Sequence, residues 1–257
     1  MRPRFLRCIS FVPVIVLVCA MCLSAQQQSP AQDRESLTVE QIVQRLIERN
    51  RQRAEALKAY TSTRTYHLLY TGFPGKREAE MTVEARFEAP NAKRFKVISQ
   101  SGSSSIINRV FKKLLESEQE ASEDENRART ALNGENYSFE LVGRETKEGR
   151  DLYVLRAIPK VSNKFLYRGT IWVDAEDFAV VQIEAQPAKK PSFWISKTNV
   201  RHRYAKFGDF WLPSENHSTT DVRIGGAAKL TITYTGYKIS SATASTGVGG
   251  LSAEPTQ

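Results

Sequence analysis

Hydrophobic residues recur along the chain with two different periods, and the first of them is helical. Between Val39 and about Ala59, apolar side chains fall at every third or fourth position, and Thr38 with Gln41 forms a capping-box pattern at the start. This pattern predicts an amphipathic helix. Because its apolar stripe is narrow and arginines crowd the opposite side, we expect the helix to cover an apolar surface.

After Tyr60 the period changes to two, which is typical of strands with one buried face. Residues 60–70 are rich in Thr and Tyr, residues 80–89 alternate apolar with polar positions, and Pro90 ends that strand before Lys93 starts the next. Later strands are predicted at 138–145, 151–159, 164–174, 178–186, 198–207, 211–224 and 227–239. Short turns at near-regular spacing favour an antiparallel meander, either a sandwich or an open barrel.

One helical segment interrupts the strands. After a flexible Ser-rich stretch at 101–105, residues 106–115 are apolar at helical spacing, and the acidic tract behind them prolongs this helix or forms a second one. The sequence therefore predicts a helical insertion of about 30 residues in an otherwise β chain.

The two ends of the chain are predicted to lie outside the folded domain. Residues 1–25 combine three arginines, an apolar run and a small-residue exit, which is typical of a secretory signal peptide. Residues 26–37 are polar and residues 241–257 have little to pack, so we expect a disordered lead and tail around a domain at 38–240. All three cysteines lie in the signal peptide. We expect an exported, periplasmic chain without cysteine.

Positive charge is concentrated late in the chain. Between Glu184 and Asp209 there are six basic residues and no acidic one, and an apolar group at 193–195 follows Lys189 and Lys190. This combination suits transient contact with a membrane surface or an acidic protein partner, and it also fits a solvated strand face whose aromatics plug the sheet. We expect no nucleic acid partner, because an exported protein does not meet genomic DNA. The surface candidates are Lys189, Lys190, Phe193, Trp194, Lys197, Arg201 and Arg203.

No residue pattern in the sequence predicts catalysis. Asp174, Glu176 and Asp177 are too close together for the separated carboxylates of a hydrolase, and they lack the alternating ligands of a calcium loop. We interpret them as the solvated tip of a hairpin. The three histidines stand alone, and no nucleophile elbow, phosphate loop or dinucleotide motif is present. The sequence therefore predicts a protein that is not an enzyme and uses no metal or cofactor.

Several of these features occur together in a recognisable order. A signal peptide and an amphipathic helix come first, then a strand ending in Ala89-Pro90 before a basic and aromatic strand, then mid-sheet helices, and last Gly-Thr-Ile-Trp-Val-Asp at 169–174. This order resembles the periplasmic lipoprotein-carrier (Lol-type) superfamily over residues 38–240. The resemblance implies a mainly β, α+β fold, namely an open, curved antiparallel half-barrel. Helices would cover its concave apolar face and enclose a cavity for acyl chains.

On this resemblance the protein is a soluble carrier of lipid or lipoprotein acyl chains. The implied lipid-binding residues lie in the helical insertion and are Ile107, Val110, Phe111, Leu114 and Leu115. Lipoprotein carriers of the superfamily usually have a basic residue before the proline of the early strand, whereas Ala89 stands there in this chain. The resemblance therefore leaves lipoprotein sorting open. An envelope binding or sensor module that recognises a protein partner is the alternative function.

Overall fold

The computed structural model describes residues 37–163, 165–189, 195–223 and 225–242, so the predicted signal peptide and nearly all of the lead and tail lie outside the described residues. The helices are α1 (Val39–Ala56), α2 (Ser104–Ile106), a π-helical segment (Ile107–Phe111), α3 (Lys112–Ser122) and α4 (Asp124–Thr130). The strands are β1 (Leu57–Gly72), β2 (Arg77–Glu88), β3 (Ala92–Gly102), β4 (Tyr137–Lys147), β5 (Arg150–Pro159), β6 (Tyr167–Asp174), β7 (Val180–Pro187), β8 (Ile195–Phe207), β9 (Phe210–Val222) and β10 (Gly226–Ser241).

All ten strands form one antiparallel sheet in the order β3-β2-β1-β10-β9-β8-β7-β6-β5-β4. Neighbouring strands are consecutive in the chain except at one place, where the first strand, β1, pairs with the last, β10. β3 and β4 are the two edges, and within the described ranges they do not pair with each other. The sheet is therefore an open, curved half-barrel rather than a sandwich or a closed barrel, and the predicted fold class is confirmed.

α1 covers the half of the concave face that is formed by β4 to β7. Its capping box is confirmed: the backbone N–H of Gln41 donates to Thr38 Oγ1 (3.3 Å), and the backbone N–H of Thr38 donates to Gln41 Oε1 (2.9 Å). Ile42 and Leu46 are fully buried on this half of the sheet. The helix ends at Ala56, earlier than predicted, because Leu57 already pairs with β10.

The helical insertion covers the other half, formed by β1, β2 and β10. α2, the π-helical segment and α3 run without a break over Ser104–Ser122, and we call this segment the helical cover. Phe111 is fully buried in it, with its ring centroid 5.8 Å from that of Tyr66 on β1. Glu123 is extended and separates α4 from the helical cover. The predicted insertion is thus confirmed, as two consecutive helical pieces.

The acidic turn between β6 and β7 differs from the sequence interpretation at two residues. Asp174 is only 2% exposed. Its Oδ1 accepts from the backbone N–H groups of Glu176 (3.0 Å) and Asp177 (2.7 Å), and its Oδ2 accepts from Arg150 Nη1 (3.0 Å). The prediction of a solvated tip is therefore wrong for Asp174, because its carboxylate closes the turn from inside. It is also wrong for Asp177, whose partly buried carboxylate accepts from Trp211 Nε1 (2.8 Å) and Lys206 Nζ (2.7 Å). It is right for Glu176, which is exposed.

Candidate functional site

A cavity of about 670 Å³ lies between the helical cover and strands β1, β8, β9 and β10. It occupies the part of the concave face between the areas that α1 and the helical cover pack against. A curved sheet that buries its apolar face under separate helices needs a third element to fill the gap between them. Among the described residues no such element is present, and the gap forms the cavity.

The strand register arranges the floor of the cavity in three rungs, each two residues deeper than the last. Tyr70, Ala228, Thr220 and Thr198 pair across the sheet as the outer rung, next to the β1–β2 turn. The middle rung consists of Leu68, Leu230, Ser218 and Val200. The inner rung consists of Tyr66, Ile232, Asn216 and His202. Because side chains on one face recur every second residue, successive rungs lie about 7 Å apart along the strands.

The roof of the cavity comes from the helical cover. Of the predicted lipid-binding residues, Val110 and Leu114 line the cavity. Ile107 and Phe111 are buried in the packing between cover and sheet, and Leu115 is partly buried against the same cluster. The sequence pattern identified the apolar face of this helix, but it contained no signal for which of its residues the sheet leaves uncovered. The floor residues on β8, β9 and β10 were missed for the same reason.

Two pairs of polar side chains on the floor bond each other, whereas the buried Oδ1 of Asn216 has no hydrogen-bond partner among the described residues. The hydroxyls of Thr198 and Thr220 lie 3.1 Å apart across the outer rung, and Asn216 Nδ2 lies 2.9 Å from His202 Nδ1 on the inner rung. Burial lowers the pKa of His202 to about 4, against a smaller opposite effect of Glu118. The imidazole is therefore neutral near neutral pH, and the inner end of the cavity carries no charge there.

Charge enters the cavity lining only near its outer rung. Arg77 at the start of β2 pairs with Tyr70 of that rung, and Arg109 projects from the π-helical segment; both side chains are exposed and both line the cavity. No aspartate or glutamate belongs to the described lining. The mouth is thus positive, and the interior is neutral.

A buried ion pair fixes the helical cover to the sheet. Arg64 on β1 is 2% exposed, lies between the rings of Phe95 and Tyr234 at 5.2 and 5.0 Å, and donates to Glu118 Oε2 of α3 at 2.7 Å. Lys93 donates to the other carboxylate oxygen at 3.0 Å. Burial alone would raise the pKa of Glu118, but these two cations outweigh it and lower that pKa. Sequence reasoning missed this contact.

The described surface candidates, Lys189, Lys197, Arg201 and Arg203, do not line the cavity. Along β8, Thr198, Val200 and His202 line the cavity, so the alternating residues Lys197 and Arg201 point to the opposite, convex face together with Arg203. Lys189, Lys197 and Arg201 are exposed and Arg203 is partly buried. Arg201 Nε donates to Glu184 at 2.7 Å. Lys190, Phe193 and Trp194 lie outside the described residues.

Two further observations bear on the kind of site. Across the part of the chain that the structure describes, no three His, Asp or Glu side chains come together as metal ligands. No helix in that part is both long and apolar enough to cross a bilayer.

Comparison with known families places the chain. A family model described as an uncharacterized protein matches residues 89–243, which is more than half of the chain. The chain belongs to this family. The match begins at Ala89, so it takes in β3 to β10 and the helical cover but not α1, β1 or β2. No curated protein matches the sequence.

Solved structures similar to this chain include three bacterial proteins. They are a DUF1329 family protein from Desulfovibrio piger (13% identity, TM-score 0.39, 81% of this chain and 93% of that one), an outer membrane lipoprotein-sorting protein domain from Vibrio parahaemolyticus (14%, 0.37, 80% and 93%) and a LolA superfamily protein from Nitrosomonas europaea (11%, 0.34, 80% and 94%).

Proposed function

We propose that the protein is an exported carrier that binds a lipid, or the acyl chains of a lipoprotein, in the cavity without covalent chemistry. The observation that supports this most is the cavity itself, which has an apolar roof at Val110 and Leu114 and apolar floor positions at Leu68, Leu230 and Ile232. Two pairs of its polar groups bond each other, whereas the buried Asn216 Oδ1 has no hydrogen-bond partner among the described residues. Such a lining favours hydrocarbon over a polar ligand.

Hydrocarbon burial supplies enough free energy for such binding. Each methylene moved out of water contributes about 0.8 kcal/mol, so a chain of about fifteen methylenes gains about 12 kcal/mol before the costs of association are subtracted. A carrier also has to release its cargo. The helical cover packs on one half of the sheet and is fixed there by the Arg64–Glu118 ion pair, so its displacement would open the roof.

The direct test is lipid mass spectrometry on protein purified from its native envelope under mild conditions. We expect bound lipid to co-purify with the wild type and to fall several-fold in the Val110→Gln, Leu114→Gln double variant, because two amides on the roof would lose their water on contact with hydrocarbon. The matched control is Leu141→Gln, Val142→Gln on the edge strand β4, where both side chains are exposed. An empty wild-type cavity, or equal lipid in both double variants, would argue against a carrier.

A partner-binding module is the second candidate, and the placement of the basic residues favours it. Lys197, Arg201 and Arg203 lie on the convex face, so a partner could bind there while the cavity holds cargo. Reversing all three to Glu should then abolish co-purification of an acidic partner and leave the lipid content unchanged. Retention of the partner by this variant would remove the convex face from consideration.

A further inference from the structure

We propose that the cargo is a single long-chain fatty acid, whose chain fills the cavity and whose carboxylate is held at the mouth by Arg77 and Arg109. This inference rests on the proposed carrier function and narrows it to one class of ligand. It follows from the volume of the cavity, the neutrality of its interior and the sign of the charge at its mouth.

The volume of the cavity indicates how many acyl chains it can hold. A cavity of about 670 Å³ has room for about 22 non-hydrogen atoms if each takes about 30 Å³, the share of one molecule in liquid water. A fatty acid with about 16 to 18 carbons has about 18 to 20 such atoms and fits within the cavity, whereas a diacyl lipid with about twice as many would extend out of its open side. The cavity therefore suits one acyl chain.

The neutral interior of the cavity is an unfavourable place for a charged head group. The inner rung holds neutral His202, bonded to Asn216, and the outer-rung hydroxyls of Thr198 and Thr220 bond each other. A carboxylate placed among these groups would lose its hydration without gaining a cation. The chain therefore enters with its methyl end first, along the apolar positions of β1 and β10 beneath the helical cover.

The cationic side chains that could bind a carboxylate lie at the mouth of the cavity. Arg77 and Arg109 both line the cavity there, and among the described residues neither forms an ion pair with a carboxylate. Arg77 Nη1 lies 3.4 Å from the hydroxyl of Ser105, which precedes Arg109 by four residues in the helical cover. Ser105 thus lies against Arg77 and about one helical turn before Arg109. Guanidinium groups form charge-assisted hydrogen bonds with carboxylates, often in pairs, so a fatty acid head group is the ligand that this mouth fits.

The test is equilibrium binding of three radiolabelled amphiphiles with the same chain below their aggregation limits: palmitate, hexadecanol and 1-palmitoyl lysophosphatidate. The variant is Arg77→Gln, Arg109→Gln, whose exposed positions leave the packing intact. The control is Arg86→Gln, Arg94→Gln, an exposed pair that lies face to face on β2 and β3 and makes the same change in net charge. We expect palmitate to bind tightest, and the mouth variant to weaken palmitate about tenfold or more without affecting hexadecanol.

The control variant should leave all three affinities unchanged. Hexadecanol binding as tightly as palmitate, or palmitate affinity unchanged in the mouth variant, would overturn the fatty acid assignment while the carrier function stands. Tighter binding of lysophosphatidate would overturn it in favour of a phosphate head group. If none of the three amphiphiles bound, the fatty acid assignment would fail, and lipid mass spectrometry on the native protein would decide the carrier function separately.

Discussion

Asp174 is the clearest case in which one buried side chain holds a turn together. Its two carboxylate oxygens accept three hydrogen bonds, two from the backbone of the turn and one from Arg150. A buried acceptor that loses a charged partner costs more than an exposed one, because water cannot replace the lost bond. The stability of the β6–β7 hairpin should therefore depend on this carboxylate.

We predict that Asp174→Asn lowers the free energy of unfolding by about 1–3 kcal/mol, because the amide keeps an acceptor for the turn but loses the ion pair with Arg150. Urea denaturation followed by fluorescence measures this change. Glu176→Gln, in the same turn but exposed, is the control and should be close to the wild type. Equal stabilities of the two variants would contradict the role given to Asp174.

The buried imidazole of His202 should make the stability of the protein depend on pH. Its pKa is about 4 in the folded protein against 6.5 for an ordinary histidine, so the unfolded chain binds more protons between these values. The free energy of unfolding should therefore fall as the pH is lowered from 6.5 to 4, by up to about 3 kcal/mol from this group. Urea denaturation at a series of pH values should show a smaller fall in His202→Gln. Parallel curves for the two proteins would contradict it.

Single residues were predictable from the sequence where the strand period decides their position. Ile171 and Val173 are buried, as the alternation on β6 predicted, and Trp172 between them is less buried. Asp174 and Arg64 were not predictable. The partners that fix them, Arg150 and Glu118, are 24 and 54 positions away in the chain, and a period of two or 3.6 carries no information about such contacts.

The helical cover is attached to the sheet by two kinds of contact. Phe111 and its apolar neighbours pack on β1, β2 and β10, and farther along, Glu118 joins Arg64 and Lys93. The cover therefore depends on a charged group for the position of its C-terminal half, which contributes no fully buried apolar residue.

We predict that Glu118→Gln loosens this half of the cover, because Arg64 would remain buried without its carboxylate. The expected loss is about 2–4 kcal/mol, below that of a fully buried pair because Glu118 is partly exposed. Hydrogen exchange followed by mass spectrometry should show faster exchange across residues 104–122. Glu116→Gln on the exposed side of α3 is the control, and equal exchange in both variants would contradict the anchoring role.

The elements themselves were largely predictable. Strand ends agree with the predicted ones to within four residues, and the capping box placed the start of α1. The end of α1 was predicted too late, since residues 57–59 are compatible with a helix and only their pairing with β10 makes them a strand. The fold as a curved half-barrel came from the family resemblance, because local periods left a sandwich and an open barrel as alternatives.

Pairing of the first strand with the last brings β1 and β2 beside β8 to β10. This arrangement sets β8 and β9 beside the strands that the helical cover packs on, and the cavity lies between them. Sequence periods cannot give this information, because they describe faces of elements and not the order of strands. This is why the sequence indicated the apolar face of the helical cover but not the floor of the cavity.

A crystal structure with a fatty acid brominated at the middle of its chain would show whether the cavity binds an acyl chain. Anomalous scattering locates bromine without reference to the rest of the ligand. We predict bromine between Leu114 of the helical cover and Leu230 of β10, with the carboxylate near Arg77 and Arg109. Bromine on the convex face, or none at all in crystals that grew with saturating ligand, would rule out acyl-chain binding in the cavity.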